Sequence, residues 1–419
     1  MRRAPRVAVA VLAAMASTVI VLRSRGRAPA KASAPSVAAA PAAPVAPVAP
    51  AGSLGAGAPP NVEGARGARE LHGDARHTHR AVGRAPLQTP AVVWTRDVGG
   101  AVESQVVTSP DGQTLYASSL GGSLTALARA DGGVRWALAL GDRAYATPCV
   151  GVDGTIYAGS DAKKLLAVSA EGKVRWSLDT EDEADTGCAL APDGSIVFAA
   201  GRRVYGVSPQ GWVRFRFAAR RKVFTAPAIA PDGHIFFGSQ DHHAYALTPQ
   251  GGLLWSVDLG ADVDGAPAIG DDGAVYFGTD GGEVIGIDTG GRIAWRAKLG
   301  GFVRGTLSIA RNGDVLAGVY GPTPGQVRLR AADGVASGEF RIQGTGAREF
   351  GVHGGALEDD AGVLVFGAQD DTVVAIDAGG HLRWRFTTRA DVDAPVTLLE
   401  DGALIVASDD GNVTMLAAR

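Results

Sequence analysis

The residues best suited to chemistry are three histidines in the segment ELHGDARHTHR, namely His72, His77 and His79. Imidazoles this close together could hold a metal ion. Zinc sites, however, combine them with cysteine or carboxylate partners at set spacings, and no such set accompanies them here. The segment has the composition of a loop. Two interpretations stay open, a metal site and a strap that packs against the folded domain, and we predict the strap.

No arrangement typical of an enzyme accompanies these histidines. The chain contains no nucleophile elbow, no phosphate-binding loop and no zinc motif. We therefore predict that no residue is catalytic and that the protein is not an enzyme.

The elements that must position any site come from a repeat of about 40 residues. Its clearest copy runs from Asp262 to Trp295 and holds four β-rich runs, separated by Asp272-Gly273, Asp280-Gly281-Gly282 and Thr289-Gly290-Gly291. An Asp-Gly pair between apolar runs is a strong hairpin signal, because glycine supplies the positive φ of a tight turn. Each copy is therefore predicted to be a four-stranded antiparallel meander.

Two landmarks recur in every copy, a glycine in the first turn and an aromatic residue in the fourth run. The turn glycines are Gly112, Gly154, Gly194, Gly233, Gly273, Gly313, Gly362 and Gly402. The aromatic residues are Trp94, Trp136, Trp176, Phe215, Trp255, Trp295, Phe340 and Trp384. Their even spacing indicates one equivalent docking site, wedged between neighbouring sheets. The period and the four strands predict an all-β fold, an eight-bladed β-propeller of four-stranded antiparallel blades.

Both ends of the repeat array are incomplete. Trp94 lies on a fourth strand with no first three strands before it, and the last unit stops after its third strand, Val413 to Leu416. The extra strand and the missing strand complement each other. We predict that the N-terminal strand around Trp94 closes the last blade, which leaves no open edge in a propeller covering residues 66–419.

A variable position near the start of each first strand is a candidate binding surface. Ten residues before each turn glycine the residue is Val or Ala, whereas the residue nine before it varies. Side chains alternate along a strand, and first strands are innermost in a propeller, so the variable side chains are expected around one mouth of the central channel. These mouth positions are Glu103, Tyr145, Asp185, Phe224, Asp264, Arg304, His353 and Asp393.

Acidic residues outnumber basic ones at this predicted mouth. Of the sixteen residues nine and eleven positions before the turn glycines, seven are acidic and three are Arg or Lys. An anionic mouth would favour a cationic ligand or a basic peptide. The alternative is a rim of solvated side chains. Pairs such as Asp262 and Asp264 lack the spacing of a calcium loop, so no metal site is predicted.

The two cysteines, Cys149 and Cys188, occupy nearly matching places in neighbouring repeats, five and six residues before their turn glycines. Adjacent inner strands could bring them together as a disulfide in an oxidising compartment. The offset of one residue could instead point them apart as two buried thiols. Both states stay open.

The first part of the chain has the composition of a targeting segment and a spacer. Three arginines precede the uncharged residues 7–22, which predicts a signal peptide or an uncleaved signal anchor over residues 1–27, with a transit peptide as a weaker alternative. Residues 28–65 are rich in Ala and Pro and predict a disordered stalk. The chain beyond residue 31 holds 33 basic and 43 acidic side chains, which argues against nucleic-acid binding.

The repeats resemble the PQQ-like repeat β-propellers of bacteria. The resemblance rests on the opening GDARHTHRAVGRAP, on PAVVW, and on the tryptophan-docking pattern A-x-D-x-x-G-x-x-x-W, approximated by AIDAGGHLRW and GIDTGGRIAW. The chain resembles the outer-membrane barrel-assembly lipoprotein type more than the quinoprotein dehydrogenases, which carry long insertions and two adjacent cysteines over the cofactor. It departs from the lipoprotein type because no lipobox cysteine follows the N-terminal segment.

The resemblance implies a non-catalytic extracytoplasmic platform for protein interaction or ligand binding in the bacterial cell envelope. Its expected partners are envelope or outer-membrane proteins or basic peptides. The propeller is expected to be monomeric and periplasmic or extracellular, touching a membrane only through its N-terminal segment, with residues 7–22 as a tether. No cofactor is expected. The alternatives are an oxidoreductase that uses PQQ with Ca²⁺ and a surface module that recognises glycans or peptides.

Overall fold

The structure, a computed structural model, describes residues 68–345, 347 and 350–419. These residues form eight four-stranded antiparallel sheets, which confirms the predicted all-β, eight-bladed propeller. The predicted targeting segment (1–27) and stalk (28–65) lie outside the described residues. Within the described part, the one helical element is a 3-10 turn at Leu71–Gly73, and no helix is long and apolar enough to cross a membrane.

The first four blades each consist of four consecutive strands. Blade 1 comprises β2 (Val107–Thr108), β3 (Thr114–Ser119), β4 (Ser123–Ala128) and β5 (Val134–Ala139). Blade 2 comprises β6 (Cys149–Val150), β7 (Ile156–Ser160), β8 (Lys164–Val168) and β9 (Val174–Asp179). Blade 3 comprises β10 (Ala189–Leu190), β11 (Ile196–Ala200), β12 (Arg203–Val207) and β13 (Val213–Ala218). Blade 4 comprises β14 (Ala228–Ile229), β15 (Ile235–Gly238), β16 (His243–Leu247) and β17 (Leu253–Asp258).

Blades 5 to 7 repeat this order, and blade 8 takes its fourth strand from the start of the domain. Blade 5 comprises β18 (Ala268–Ile269), β19 (Val275–Gly278), β20 (Glu283–Ile287) and β21 (Ile293–Lys298). Blade 6 comprises β22 (Ser308–Ile309), β23 (Val315–Val319), β24 (Gly325–Leu329) and β25 (Ala336–Arg341). Blade 7 comprises β26 (Leu357–Glu358), β27 (Leu364–Ala368), β28 (Thr372–Ile376) and β29 (Leu382–Thr387). Blade 8 comprises β30 (Thr397–Leu398), β31 (Leu404–Ala407), β32 (Asn412–Ala417) and β1 (Ala91–Asp97).

The predicted closure of the ring is confirmed by the pairing of β1 with β32. The two strands run antiparallel, with Ala91 opposite Ala417 and Asp97 opposite Asn412. Both β1 and β32 are therefore hydrogen-bonded within the last sheet, so the N-terminal strand supplies the partner that the end of the chain lacks.

Side-chain patterns explain why each strand takes its place in the blade. The second and third strands are buried on both faces, as in β19 (VYFG), because neighbouring blades cover them. The fourth strands alternate between exposed and half-buried residues, as expected of outer edges. The first strands are only two residues long, and they are innermost, because those of blades 1 and 2 and those of blades 3 to 6 contact their neighbours.

Six of the eight repeated aromatic residues lie over a glycine of the next blade. That glycine is in the turn between the third and fourth strands. The pairs are Trp94–Gly132, Trp136–Gly172, Trp176–Gly211, Phe215–Gly251, Trp255–Gly291 and Trp295–Gly334. A Cβ on these glycines would approach the ring atoms to between 2.4 and 3.0 Å, so the packing requires glycine. In the remaining two cases, the Trp384 indole N–H donates to the Pro86 carbonyl (2.6 Å), and Phe340 packs edge-on against Phe366.

Backbone hydrogen bonds join the blades near the start of each first strand. The small residue ten positions before the turn glycine donates its N–H to the end of the second strand of the preceding blade. Examples are Ala144 to the Ser119 carbonyl and Val392 to the Ala368 carbonyl, both 3.2 Å. Between blades 6 and 7, where the linker is longer, a single β-bridge between Tyr320 and Gly351 takes this place.

Candidate functional site

Residues 68–83, which we call the strap, cover one mouth of the channel. They include most of the segment predicted to be a strap, residues 70–86. The strap accepts hydrogen bonds of 2.6 to 3.0 Å from the second residue of the first strand in blades 1 to 7. The donors are the N–H groups of Thr108, Val150, Leu190, Ile229, Ile269, Ile309 and Glu358. The strap thus satisfies inner-strand donors that would otherwise be buried without partners.

The three histidines lie on this strap, buried against the inner strands. His72 Nε2 lies 2.7 Å from Thr306 Oγ1 and 3.2 Å from the Gly354 carbonyl oxygen. His77 Nδ1 lies 2.8 Å from the Pro267 carbonyl oxygen, and the His79 ring stacks on the His72 ring with centroids 4.2 Å apart. All three have a positive φ, which lets the short segment turn within the channel.

Burial determines the charge state of these strap residues. It lowers the pKa of His79 to about 4 and also lowers the pKa values of His72 and His77, so all three are neutral near pH 7. Burial raises the pKa of Glu70 to about 8, and its Oε2 accepts the Leu190 N–H at 2.9 Å. The three histidines and Glu70 therefore contact the ring as uncharged groups, whereas Arg76 and Arg80 of the strap form ion pairs with Asp271.

The opposite mouth carries the eight mouth positions named above. They precede the first strands, whereas the strap bonds to the second and last residue of those strands in blades 1 to 7. In every blade the residue ten before the turn glycine is buried and the mouth position beside it is partly exposed, with Phe224 the most open at 39%. The mouth positions thus occupy equivalent places before the first strands, and their partial exposure agrees with the alternation inferred from the sequence.

Six of the eight mouth positions face a side chain that sequence reasoning did not single out. In the regular blades this partner is the seventh residue after the turn glycine of the preceding blade, at the end of its second strand. Four such pairs are directly bonded: Gln240 with Asp264 (3.4 Å), Asp280 with Arg304 (2.7 Å), Tyr320 with His353, and Gln369 with Asp393 (3.2 Å). The spacing from the turn glycine is a signal that could have identified these partners.

Two junctions place a carboxylate against a carboxylate instead. Between blades 2 and 3, Asp161 faces Asp185, with Glu183 beside both. Burial raises the pKa values of Asp161 and Asp185, and the neighbouring carboxylates add to the shift. Lys222 bridges Glu183 (2.9 Å) and Asp185 (3.0 Å) and lies 4.2 Å from the centre of the Phe224 ring.

The second acidic junction lies between blades 8 and 1. Asp409, Glu103, Asp393 and Asp391 are close enough to perturb one another. Burial, followed by the charges of Asp393, Glu103 and Asp391, raises the pKa of Asp409 to about 7. Burial and Asp393 raise the pKa of Asp391 to about 6 and also raise that of Glu103. No lysine or arginine of the described ranges forms an ion pair with these four carboxylates.

The remaining mouth positions contribute less charge. Burial and Asp280 raise the pKa of Asp264 to about 6, although Arg304 forms an ion pair with that same Asp280. The guanidinium of Arg143 lies 5.6 Å from the centre of the Tyr145 ring. The structure therefore brings Glu103 and Asp393 into one acidic group, whereas Phe224 and Tyr145 each lie beside a basic side chain.

Cys149 and Cys188 are joined by a disulfide, with Cα atoms 5.9 Å apart. Both are buried in the apolar layer between blades 2 and 3, beside Tyr157 and Phe198. The one-residue offset is accommodated because the cysteines lie on different sheets whose facing surfaces meet there. The two cysteines are 39 residues apart in the sequence and lie in two neighbouring sheets, so they do not form the adjacent pair that the resemblance to quinoprotein dehydrogenases would imply.

The fold and its mouth define a PQQ-like repeat β-propeller. The family model described as outer membrane protein assembly factor BamB matches residues 80–214 and 240–339. These ranges make up more than half of the chain, so the protein belongs to this family. A search of the curated proteins yields no significant match.

Many solved structures share the architecture. BamB from Moraxella catarrhalis is 19% identical, with a TM-score of 0.64, and the match covers 79% of this chain and 98% of that one. A europium-containing methanol dehydrogenase is 10% identical, with a TM-score of 0.70, over 83% of this chain and 90% of its own. The computationally designed Ika8 protein is 14% identical, with a TM-score of 0.65, over 78% and 99%. At these identities the likeness concerns the fold alone.

Proposed function

We propose that the protein is a non-catalytic interaction platform of the bacterial cell envelope and that its acidic mouth receives a basic segment of a partner protein. Membership of the BamB family supports a role in protein interaction. The observation that carries the proposal is the acidic group of Glu103, Asp391, Asp393 and Asp409, which no basic side chain in the described residues neutralises.

The raised pKa values explain why a cation should bind there. Carboxylates that repel one another hold protons at a higher pH than isolated ones, so the folded protein maintains them at a free-energy cost. An ammonium or guanidinium group from a partner would offset that repulsion and lower their pKa values. Binding should therefore release protons, and the affinity should rise between about pH 6 and pH 8 as Asp409 ionises.

An extracytoplasmic location is part of the proposal. The basic and apolar start of the sequence, the Ala/Pro-rich spacer and the disulfide are each suited to a protein held outside the cytoplasm. A fusion of the first 65 residues to a reporter that is active only after export tests this location. Activity is expected with the wild-type segment and should be lost when the apolar run at residues 7–22 is interrupted by charges.

The binding proposal is tested with a synthetic peptide of alternating lysine and alanine, followed by fluorescence anisotropy. The triple variant Glu103→Gln, Asp393→Asn and Asp409→Asn should bind it about tenfold more weakly, and added salt should weaken the wild type. The control is Asp131→Asn, Asp232→Asn and Asp272→Asn, which removes three charges from turns at the strap end. Equal affinities of the two triple variants would overturn the proposal, as would wild-type binding that prefers an acidic peptide.

A further inference from the structure

We propose that the junction between blades 2 and 3 binds a divalent cation of the oxygen-preferring class, with Ca²⁺ as the best match, through Asp161, Glu183 and Asp185. This site is separate from the basic-peptide site at the junction of blades 8 and 1. Neither proposal depends on the other, because they use different carboxylates.

The geometry of the three carboxylates suits a single ion. One oxygen of each lies within 4.8 Å of those of the other two. Oxygen ligands of Ca²⁺ lie about 2.3–2.6 Å from the ion, so two ligands on opposite sides are about 5 Å apart. The group meets this requirement without large movement. Ca²⁺ accepts irregular coordination and water as further ligands, whereas Mg²⁺ demands a near-octahedral set.

Two buried carboxylate oxygens without partners point to a ligand. The side chains of Asp161 and Asp185 are exposed by only 6% and 9%. The Oδ1 atom of each is inaccessible and has no hydrogen-bond partner, although such buried oxygens are almost always satisfied. Asp264, Asp393 and Asp409 also have a buried Oδ1 without a partner. Among the described residues, however, only Asp161, Glu183 and Asp185 bring the oxygens of three carboxylates within 4.8 Å of one another.

The nearby basic residues leave these two oxygens free. Arg143 pairs with Oδ2 of Asp161 at 3.1 Å, and Lys222 pairs with Oε2 of Glu183 and Oδ2 of Asp185. Three carboxylates thus face two basic groups. Lys222 competes for two of the three ligands, and its flexible side chain can swing out when an ion enters. Removal of its charge should therefore strengthen cation binding.

The probe is Tb³⁺, a luminescent substitute for Ca²⁺, added to the folded chain and then displaced with Ca²⁺. Tyr145 is close enough for its pKa to be affected by Asp161 and Asp185, so it should sensitise the emission. Asp185→Asn should weaken Ca²⁺ binding by about tenfold or more, and Lys222→Met should strengthen it several-fold. Tyr145→Phe should reduce the emission without changing the affinity.

The matched control is Asp264→Asn, the same mouth position in blade 5, where Gln240 already occupies the facing place. It should leave the Ca²⁺ affinity unchanged. Thermal denaturation in chelator checks that each variant is folded. The proposal is overturned if the wild type shows no Ca²⁺-displaceable emission, if Asp185→Asn and Asp264→Asn bind Ca²⁺ equally, or if Lys222→Met weakens binding as a structural lysine would.

Discussion

The two mouths of the channel differ in the charge state of their closely packed polar groups. At both, polar groups must lie close together around a narrow axis. The strap end buries His72, His77, His79 and Glu70 as neutral species and pairs its charged groups, as in the ion pairs of Arg76 and Arg80 with Asp271. The acidic end keeps its carboxylates partly exposed and, at two junctions, set against one another. A closed mouth therefore stabilises the ring, whereas an open acidic mouth costs stability that a bound cation can recover.

The comparison predicts opposite responses to pH. The strap histidines have lowered pKa values, so their contribution to stability is present above about pH 6.5 and is lost as the pH falls toward 4. Asp391 and Asp409 have raised pKa values, so their contribution is present at low pH and is lost as the pH rises through about 6 to 7. The strap thus loses its contribution to stability on acidification, and the acidic mouth loses its contribution as the pH rises.

The largest expected effect comes from breaking the strap. His72→Asn keeps a residue that tolerates the positive φ but removes the ring between Thr306 and Gly354. The lost packing and hydrogen bonds should lower the free energy of unfolding by about 2–4 kcal/mol, as measured by urea denaturation at neutral pH. His381→Asn, at an exposed surface residue, is the control. Equal stability of the two variants would show that the strap does not hold the ring.

A smaller effect is expected when the wild-type strap is acidified. At about pH 4.5 protonation of His79 and its neighbours should loosen the strap, because buried imidazolium is unfavourable. The Ile229 and Ile269 amides, which donate to the strap, should then lose hydrogen-exchange protection relative to neutral pH, after correction for intrinsic rates. The Ala144 and Val392 amides at the acidic mouth serve as internal references. Loss of protection at both ends together would contradict a local opening of the strap.

The smallest effect is expected at the acidic mouth. Asp409→Asn removes a partly exposed carboxylate that is ionised only above about pH 7, so it should stabilise the protein by roughly 1 kcal/mol at about pH 8. Below about pH 3.8, where the carboxyl is protonated in both the folded and the unfolded chain, the two proteins should have equal urea midpoints. Asp131→Asn should change neither value. Stabilisation at low pH would show that charge repulsion is not the cause.

Much of the architecture was predictable from the sequence, because a propeller blade is a local unit. The eight turn glycines set the number of blades, and the unmatched fourth strand at Trp94 indicated how the ring closes. The mouth positions also followed from the sequence, since alternation along a strand relates a buried Val392 to a partly exposed Asp393. Their partners did not, because Gln369 belongs to the preceding blade and meets Asp393 only across the junction.

The sequence by itself therefore determined the blade, the repeat number and the side chains offered at the mouth, because these depend on local periodicity and turn chemistry. Only the tertiary structure decided what those side chains meet. In the ring the two cysteines form a disulfide, and Asp161 lies close to Asp185. The strap forms hydrogen bonds with seven of the blades. Each of these contacts links segments distant in sequence, and their geometry is defined only when the circle of blades closes.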